Sequence, residues 1–276
     1  MVSSRRLSRF VGKLADSRLP KVVVQRAIAW YIQAYGVNVE EMEHPPEAYE
    51  SFDSFFTRRL RKGVHTIDTS PNTLVSPADS RILNLGRIRD GELTQIKDRT
   101  YRLDELLDST NDAARFARGS YITLYLSPKD YHRVHSPCSG RITHYRYVPG
   151  RLYPVNNLGV SHVERLFAIN ERLITYLDTD HGAVALVMVG AANVGKITVG
   201  YDDITTNSSN KQTAYTVEFS HRIPIERGDE LGMFHLGSSV VLITANEKMA
   251  LNDVHCDAPV RVGEALFTRS PSTGKA

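Results

Sequence analysis

The sequence predicts a mainly β protein with α content: a barrel- or sandwich-like β core, N-terminal amphipathic helices and a small helical insertion. Three observations lead there. From about residue 66 short β-type runs recur, separated by glycines and polar turns. Before that point the apolar residues follow a helical period instead. Within the β part, one stretch, "DELLDSTNDAARFARGS", reads as helix. The expected division is a helical segment over 1–65 and a β-rich domain over 66–276.

Taken in order, "RRLSRFVGKLADSR" places Leu7, Phe10, Val11 and Leu14 at i, i+3, i+4 and i+7 with basic residues between them. Pro20 closes this helix or opens the next. "KVVVQRAIAWYIQAYGV" follows, apolar except for Lys21 and Arg26 and a narrow stripe of Gln25, Ala29 and Gln33, with Gly36 as its stop. "HPPEAYESFDSFFTRRLRKG" predicts a turn at Pro45-Pro46 and a third short helix ending in Arg58, Arg59, Arg61 and Lys62. The β runs are 120–126, 140–148, 172–178, 183–190, 194–200, 238–244 and 258–267. Residues 202–213, "DDITTNSSNKQT", lack any core-forming pattern and read as a polar surface loop.

With 41% hydrophobic and 24% charged residues, the chain has enough apolar side chains for a sizeable core. A net charge of +3 names no partner, and no nucleic acid is expected. Its distribution is more telling, because residues 1–26 hold seven basic side chains against the single acid Asp16. Two readings fit this end. Its helices pack on the core with a solvated charged face, or they lie in a membrane interface, Trp30 and Tyr31 at the acyl boundary and the basic groups on anionic headgroups. Cys138 and Cys256 make no disulfide framework, and reduced thiols are expected. There is no secretory signal pattern and no apolar run long enough to span a bilayer.

The chemistry concentrates in three places. "FHLGSSVV" (234–241) puts Gly237 and two hydroxyls at the start of what otherwise reads as a buried strand. Glycine permits a conformation other residues avoid and lets a nucleophile approach its carbonyl. "YLSPKDYHRVHSPCSG" (125–140) carries His132 and His135 in a turn or short 3₁₀ piece between Pro128 and Pro137. A His-x-x-His pair invites a metal reading, but no third ligand accompanies it and no metal is expected. "VSPADSRI" supplies Asp79 in a turn. Asp, His and Ser together are the parts of a relay in which an acid orients an imidazole and the imidazole deprotonates a hydroxyl. The carbonyl within reach of Ser238 is that of Gly237.

"SPADS", "YLSPKDYHRVHSPCSG", "YVPGRLYPVN", "RLFAINERL" and "LGMFHLGSSV" resemble, in order and approximate spacing, the bacterial-type phosphatidylserine decarboxylases. "FDSFFTRRLR" is similar to that family's segment before the β core, and the likeness runs from about residue 50 to residue 245. The resemblance implies a self-cleaving proenzyme. Ser238 attacks the Gly237 carbonyl, the amide becomes an ester, and β-elimination leaves dehydroalanine, which becomes a pyruvoyl group plus ammonia. A β chain (1–237) and an α chain (238–276) result. It also implies that Asp79 and His135 act with Ser238 in scission, and that His132 serves decarboxylation.

The implied cofactor is therefore pyruvate, as the covalent pyruvoyl group from Ser238. It condenses with the amine of phosphatidylserine as a Schiff base and takes up the electrons left by carbon dioxide. An imidazole titrating near neutral pH then protonates Cα, giving phosphatidylethanolamine. The implied setting is peripheral, at the cytoplasmic side of the cell membrane, with the αβ units paired as dimers. Two positions depart from the family pattern: Ser239 replaces threonine and Ile169 replaces arginine. Two other readings compete, a pyruvoyl-dependent decarboxylase of another amine and a histidine phosphocarrier barrel that does not cut itself.

Overall fold

A computed structural model describes residues 19–96, 99–191, 195–207, 213–235 and 237–269. The first predicted helix lies outside these residues. Helix α1 (Lys21–Tyr35) begins after Pro20 and stops at Gly36, whose φ of 69° lets its N–H cap Ile32. Helix α2 (Phe52–Phe56) is fixed by a capping box in which Ser51 and Ser54 satisfy each other's backbone N–H groups. The basic residues expected at its end follow it in irregular chain. The helical insertion is two short helices, α3 (Leu103–Leu107) and α4 (Thr110–Phe116). Helices α5 (Asn157–His162) and α6 (Leu166–Ile169) follow.

In chain order the strands are β1 (Thr73–Val75), β2 (Ser80–Arg87), β3 (Glu92–Ile96), β4 (Arg99–Arg102), β5 (Ser120–Leu126), β6 (Arg133–His135), β7 (Gly140–Val148) and β8 (Arg172–Thr179). They continue with β9 (Gly182–Gly190), β10 (Lys196–Val199), β11 (Tyr215–Ile225), β12 (Glu230–His235), β13 (Ser238–Thr244), β14 (Met249–Leu251), β15 (Pro259–Val260) and β16 (Ala265–Arg269). The run 258–267 is therefore two strands rather than one, and His135 lies in an extended strand rather than a turn or 3₁₀ piece.

An eight-stranded sheet in the order β11-β7-β8-β9-β13-β5-β2-β15 forms the centre, antiparallel throughout. It has two edges, so of the two expected architectures the sandwich-like one is realised and the closed barrel is not. Side chains alternate between its faces because the strand period is two. Val240 and Leu242 of β13 join a core with Val134, Ile197, Leu231, Phe234 and Phe267, supplied by the small sheets β10-β12-β6 and β1-β16-β14. Val241 and Ile243 point the other way, against Tyr101, Leu103, Leu106, Phe116 and Phe167 of the β3-β4 hairpin and the helices. Covered on both faces, β13 reads as an unbroken apolar run.

A third cluster, Val24, Ile28, Tyr31, Val37, Met42, Tyr49, Phe55 and Phe56, holds the N-terminal helices together. α1 buries only one face, leaving Val22, Val23, Trp30 and Tyr35 exposed. Ile204, Thr206 and Asn207 are buried, so the start of the predicted polar loop is part of the interior. Thr206 Oγ1 accepts from the Ile197 N–H and donates to the Gly195 carbonyl, which ties it down.

Candidate active site

β12 belongs to a small sheet and β13 to the large one, and only residues 236 and 237 join them. Gly237 has φ 64°, a left-handed conformation that costs a residue with Cβ about 1–2 kcal/mol. Ser238 opens β13, paired with Leu126 on one side and Gly190 on the other, and is fully buried. By strand alternation its side chain shares the face of Val240, toward β6 and β12. There His132 Nδ1 lies 3.3 Å from Ser238 Oγ. His132 is held by its own carbonyl, which accepts from Phe234 N–H, and by the Phe56 ring stacked 4.0 Å away at 25°. Burial pushes its pKa down to about 3, Arg58 adding to the effect while the Ser127 and Pro128 backbone opposes it. The expectation of a ring titrating near neutrality therefore fails in the uncut chain. A neutral imidazole with its proton on Nε2 accepts at Nδ1, the nitrogen facing the hydroxyl.

His135 and Asp79 are placed differently. His135 Nδ1 donates to the Gly228 carbonyl at 2.7 Å, which leaves Nε2 of the neutral ring to accept from Tyr131 O–H at 3.1 Å. Burial lowers its pKa as well. Asp79 receives His65 Nε2 at 2.8 and 3.0 Å and the Val262 N–H at 2.8 Å. The structure thus brings His132 to Ser238, and it does not hydrogen-bond Asp79 to His135 or His135 to Ser238. His65 and Tyr131, partners of the two, were not singled out by sequence. His65 lies 14 residues from Asp79, and no local pattern announces the pairing.

The turn 127–131 connects Leu126, paired with Ser238, to His132, and so covers the site. Asp130 closes it by accepting from Ser127 N–H and Oγ–H at 2.7 and 2.8 Å. The N-terminal segment pins it from outside. Tyr31 O–H donates to the Pro128 carbonyl at 2.9 Å, and Arg58 Nη2 to the carbonyls of Lys129 and Asp130 at 2.8 and 3.1 Å. Arg58 also sits over the Phe55 ring, and burial lowers its pKa.

Two clefts border this region. One of about 270 Å³ reaches Arg58, Asp79, Lys129, Tyr131 and Arg261, and one of about 420 Å³ reaches Arg81, Tyr125, Ser127, Lys129 and Leu158. They share Ser80, Lys129, Asp130 and Pro259, and so flank the turn. A cleft of about 740 Å³ lies elsewhere, lined by Arg151, Arg165, Ile169 and Arg172, and touches neither Ser238 nor His132. Ile169 is thus a wall of that cleft. Ser239 is fully buried between Tyr125 and Val189, and its hydroxyl has no partner among the described residues. Cys138 is buried, its thiol pushed up to about 12, and Cys256 is exposed; neither is in a disulfide.

A family model described as phosphatidylserine decarboxylase matches residues 52–268. This defines the class as a carboxy-lyase. The phosphatidylserine decarboxylase proenzyme of Myxococcus xanthus is 40% identical over 261 residues, covering 94% of this chain and 92% of its own length. That of Brevibacillus brevis is 41% identical over 267 residues, covering 95% and 93%. That of Marinobacter nauticus is 40% identical over 264 residues, covering 94% and 92%. The chain belongs to the phosphatidylserine decarboxylase family.

Proposed function

We propose that this chain cuts itself between Gly237 and Ser238 and that the product decarboxylates phosphatidylserine to phosphatidylethanolamine at a membrane surface. The observation that carries the reading is a left-handed glycine at a two-residue junction, followed by a buried serine whose Oγ faces a neutral imidazole. Scission forms the bond from Ser238 Oγ to the Gly237 carbonyl carbon and breaks the amide C–N bond. Elimination then moves the Cα proton to a base and releases the Gly237 carboxylate. Water completes the exchange of nitrogen for a carbonyl oxygen, with loss of ammonia.

Residue 238 suits a pyruvoyl group because it is enclosed, begins a strand paired on both sides, and stands beside His132. When present, that ketone supplies the electron sink for decarboxylation of an amine substrate. His132, 3.3 Å from Ser238 Oγ, would supply the proton to the carbon that loses carbon dioxide. An anionic headgroup in this enclosed site raises the ring's low pKa and so loads it with that proton. Scission belongs to His135 and Asp79, as the resemblance implies, and this sets a condition. Tyr131 has to release His135 Nε2, and His65 has to release Asp79, before the relay reaches Ser238.

No helix among the described residues is long and apolar enough to cross a membrane. α1 instead offers Trp30 (63% exposed), Val22 and Val23 on its outer face, a pattern suited to a peripheral site at a membrane surface, which the resemblance puts on the cytoplasmic side. That apolar face favours a lipid over a soluble amine. Full burial of His132 counts against a phosphocarrier, whose histidine has to meet a partner. Intact-mass measurement tests the proposal: it gives a 39-residue fragment of roughly 4 kDa with a blocked start, as nucleophilic scission by a serine requires. A single full-length species with full decarboxylase activity would end it.

A further inference from the structure

The two sides of the Gly237–Ser238 bond are held by different means. On the serine side, seven residues of β13 pair with both β5 and β9. On the carbonyl side the chain leaves β12 at His235, whose backbone partner is Lys196 of β10. This end is paired too, β12 lying between β10 and β6, and a set of side-chain contacts fixes its last residue further. His235 Nδ1 donates to the Asp53 carboxylate at 2.8 and 2.9 Å, and its Nε2 meets Thr198 Oγ1 at 3.0 Å. Both side chains are largely buried, at 10% and 17% exposure, so solvent competes little for the pair. Asp53 comes from α2, 182 residues away in the chain, and the same helix places Phe56 on His132. α2 therefore grips both halves of the junction: Phe56 packs on the imidazole beside the nucleophile, and Asp53 holds the residue two positions before the carbonyl.

We propose that Asp53 and Thr198, acting through His235, are positioning residues for scission, so that the N-terminal helical segment is part of the self-processing apparatus and not only a docking surface. This rests on the self-cleavage reading. The physical reason is that attack requires Ser238 Oγ and the Gly237 carbonyl carbon at near-attack distance. A two-residue connection with a left-handed glycine holds that geometry only if both ends are fixed. Removing the anchor lets the carbonyl drift while the serine stays, and a misplacement of the order of 1 Å costs up to about 100-fold in rate.

The test follows the appearance of the 238–276 fragment by mass spectrometry in freshly synthesised full-length chain, for wild type, Asp53→Ala, Asp53→Asn, Thr198→Val and Ser238→Ala. Asp53→Ala is expected to cut at least roughly 10-fold more slowly than wild type. Asp53→Asn, which keeps an oxygen to accept from His235 Nδ1–H, is expected to recover most of that rate, and Thr198→Val to lose about 3-fold. Once cut, the isolated variants are expected to decarboxylate with a kcat within about 2-fold of wild type, because the anchor serves scission alone. Asp53→Ala cutting at the wild-type rate overturns the proposal. So does equal slowing of Asp53→Ala and Asp53→Asn with a parallel fall in Tm and in the kcat of cut enzyme, the signature of a merely structural contact. If Asp53→Ala does not accumulate, Thr198→Val decides, and its cutting at the wild-type rate overturns the proposal. Wild type that stays whole, or Ser238→Ala that is cut, overturns the self-cleavage reading instead and is recognisable as such.

Discussion

His132 and His135 stand three residues apart and have opposite environments. His132 is fully buried, stacked on Phe56, and has Ser238 Oγ at its Nδ1. His135 belongs to β6, donates to a backbone carbonyl through Nδ1 and accepts a tyrosine hydroxyl at Nε2. One ring faces the nucleophile with Nδ1; the other has both nitrogens engaged elsewhere. The comparison teaches that the spacing of two imidazoles says little about their work. The Gly228 carbonyl at Nδ1 fixes the tautomer of His135, and a ring's tautomer fixes which nitrogen can take a proton.

The comparison fails altogether if Ser238 is not the reacting group, so the largest effect is expected there. Ser238→Ala leaves a full-length chain with no measurable decarboxylation, read by intact mass and by carbon dioxide release. Next comes the split between the rings. His135→Ala is expected to stay uncut, while His132→Ala cuts and then turns over phosphatidylserine about 10²–10⁴-fold more slowly, the usual size of a lost proton-transfer group. If His132→Ala is the slow cutter and His135→Ala cuts normally, the base is His132 and the geometry of the uncut chain is already the reactive one.

Acid stability sharpens the same comparison on a smaller scale. His132 has a folded pKa of about 3 against an ordinary 6.5, so the unfolded chain binds its proton first as pH falls. Its contribution to stability is complete above about pH 6.5 and drains away toward pH 3, by at most about 1.4 kcal/mol per pH unit. Urea unfolding of Ser238→Ala, with and without a second His132→Gln change, is expected to show the double variant losing less stability between pH 6.5 and 4.5. Equal losses would mean that the ring is not kept neutral by burial. The smallest effect belongs to the outer face of α1. Trp30→Ala is expected to weaken binding to anionic vesicles by a few-fold, about 1 kcal/mol, and to leave scission unchanged. Unchanged vesicle affinity, with residues 1–19 also removed, takes the docking role away from this end.

Much of the framework was legible in the chain. The runs at 120–126, 140–148 and 238–244 are strands with those same bounds, because β-branched and aromatic residues bounded by glycine and polar turns fit a pleated, buried surface. Gly36 ends α1 because its left-handed φ suits glycine. Gly237, Ser238, the two histidines and Asp79 form a chemical set that residue type alone marks out. Other features were not readable. The run 258–267 breaks at Val262 and Gly263, where Val262 N–H turns to Asp79 and Gly263 takes φ 91°. Ile204, Thr206 and Asn207 look like loop and are buried, since hydroxyl and amide groups go inside once the backbone satisfies them.

The sequence by itself determined the alternation that makes a two-faced sheet, the caps that start and stop the N-terminal helices, and the glycine–serine junction with its family likeness. Those are local properties, written in spacing and residue type. Only the tertiary structure decided which imidazole meets Ser238, that His65 holds Asp79, and that Asp53 reaches His235 across 182 residues. Such contacts depend on where sheets and helices cross in space, and a side chain's charge state depends on what the fold places around it.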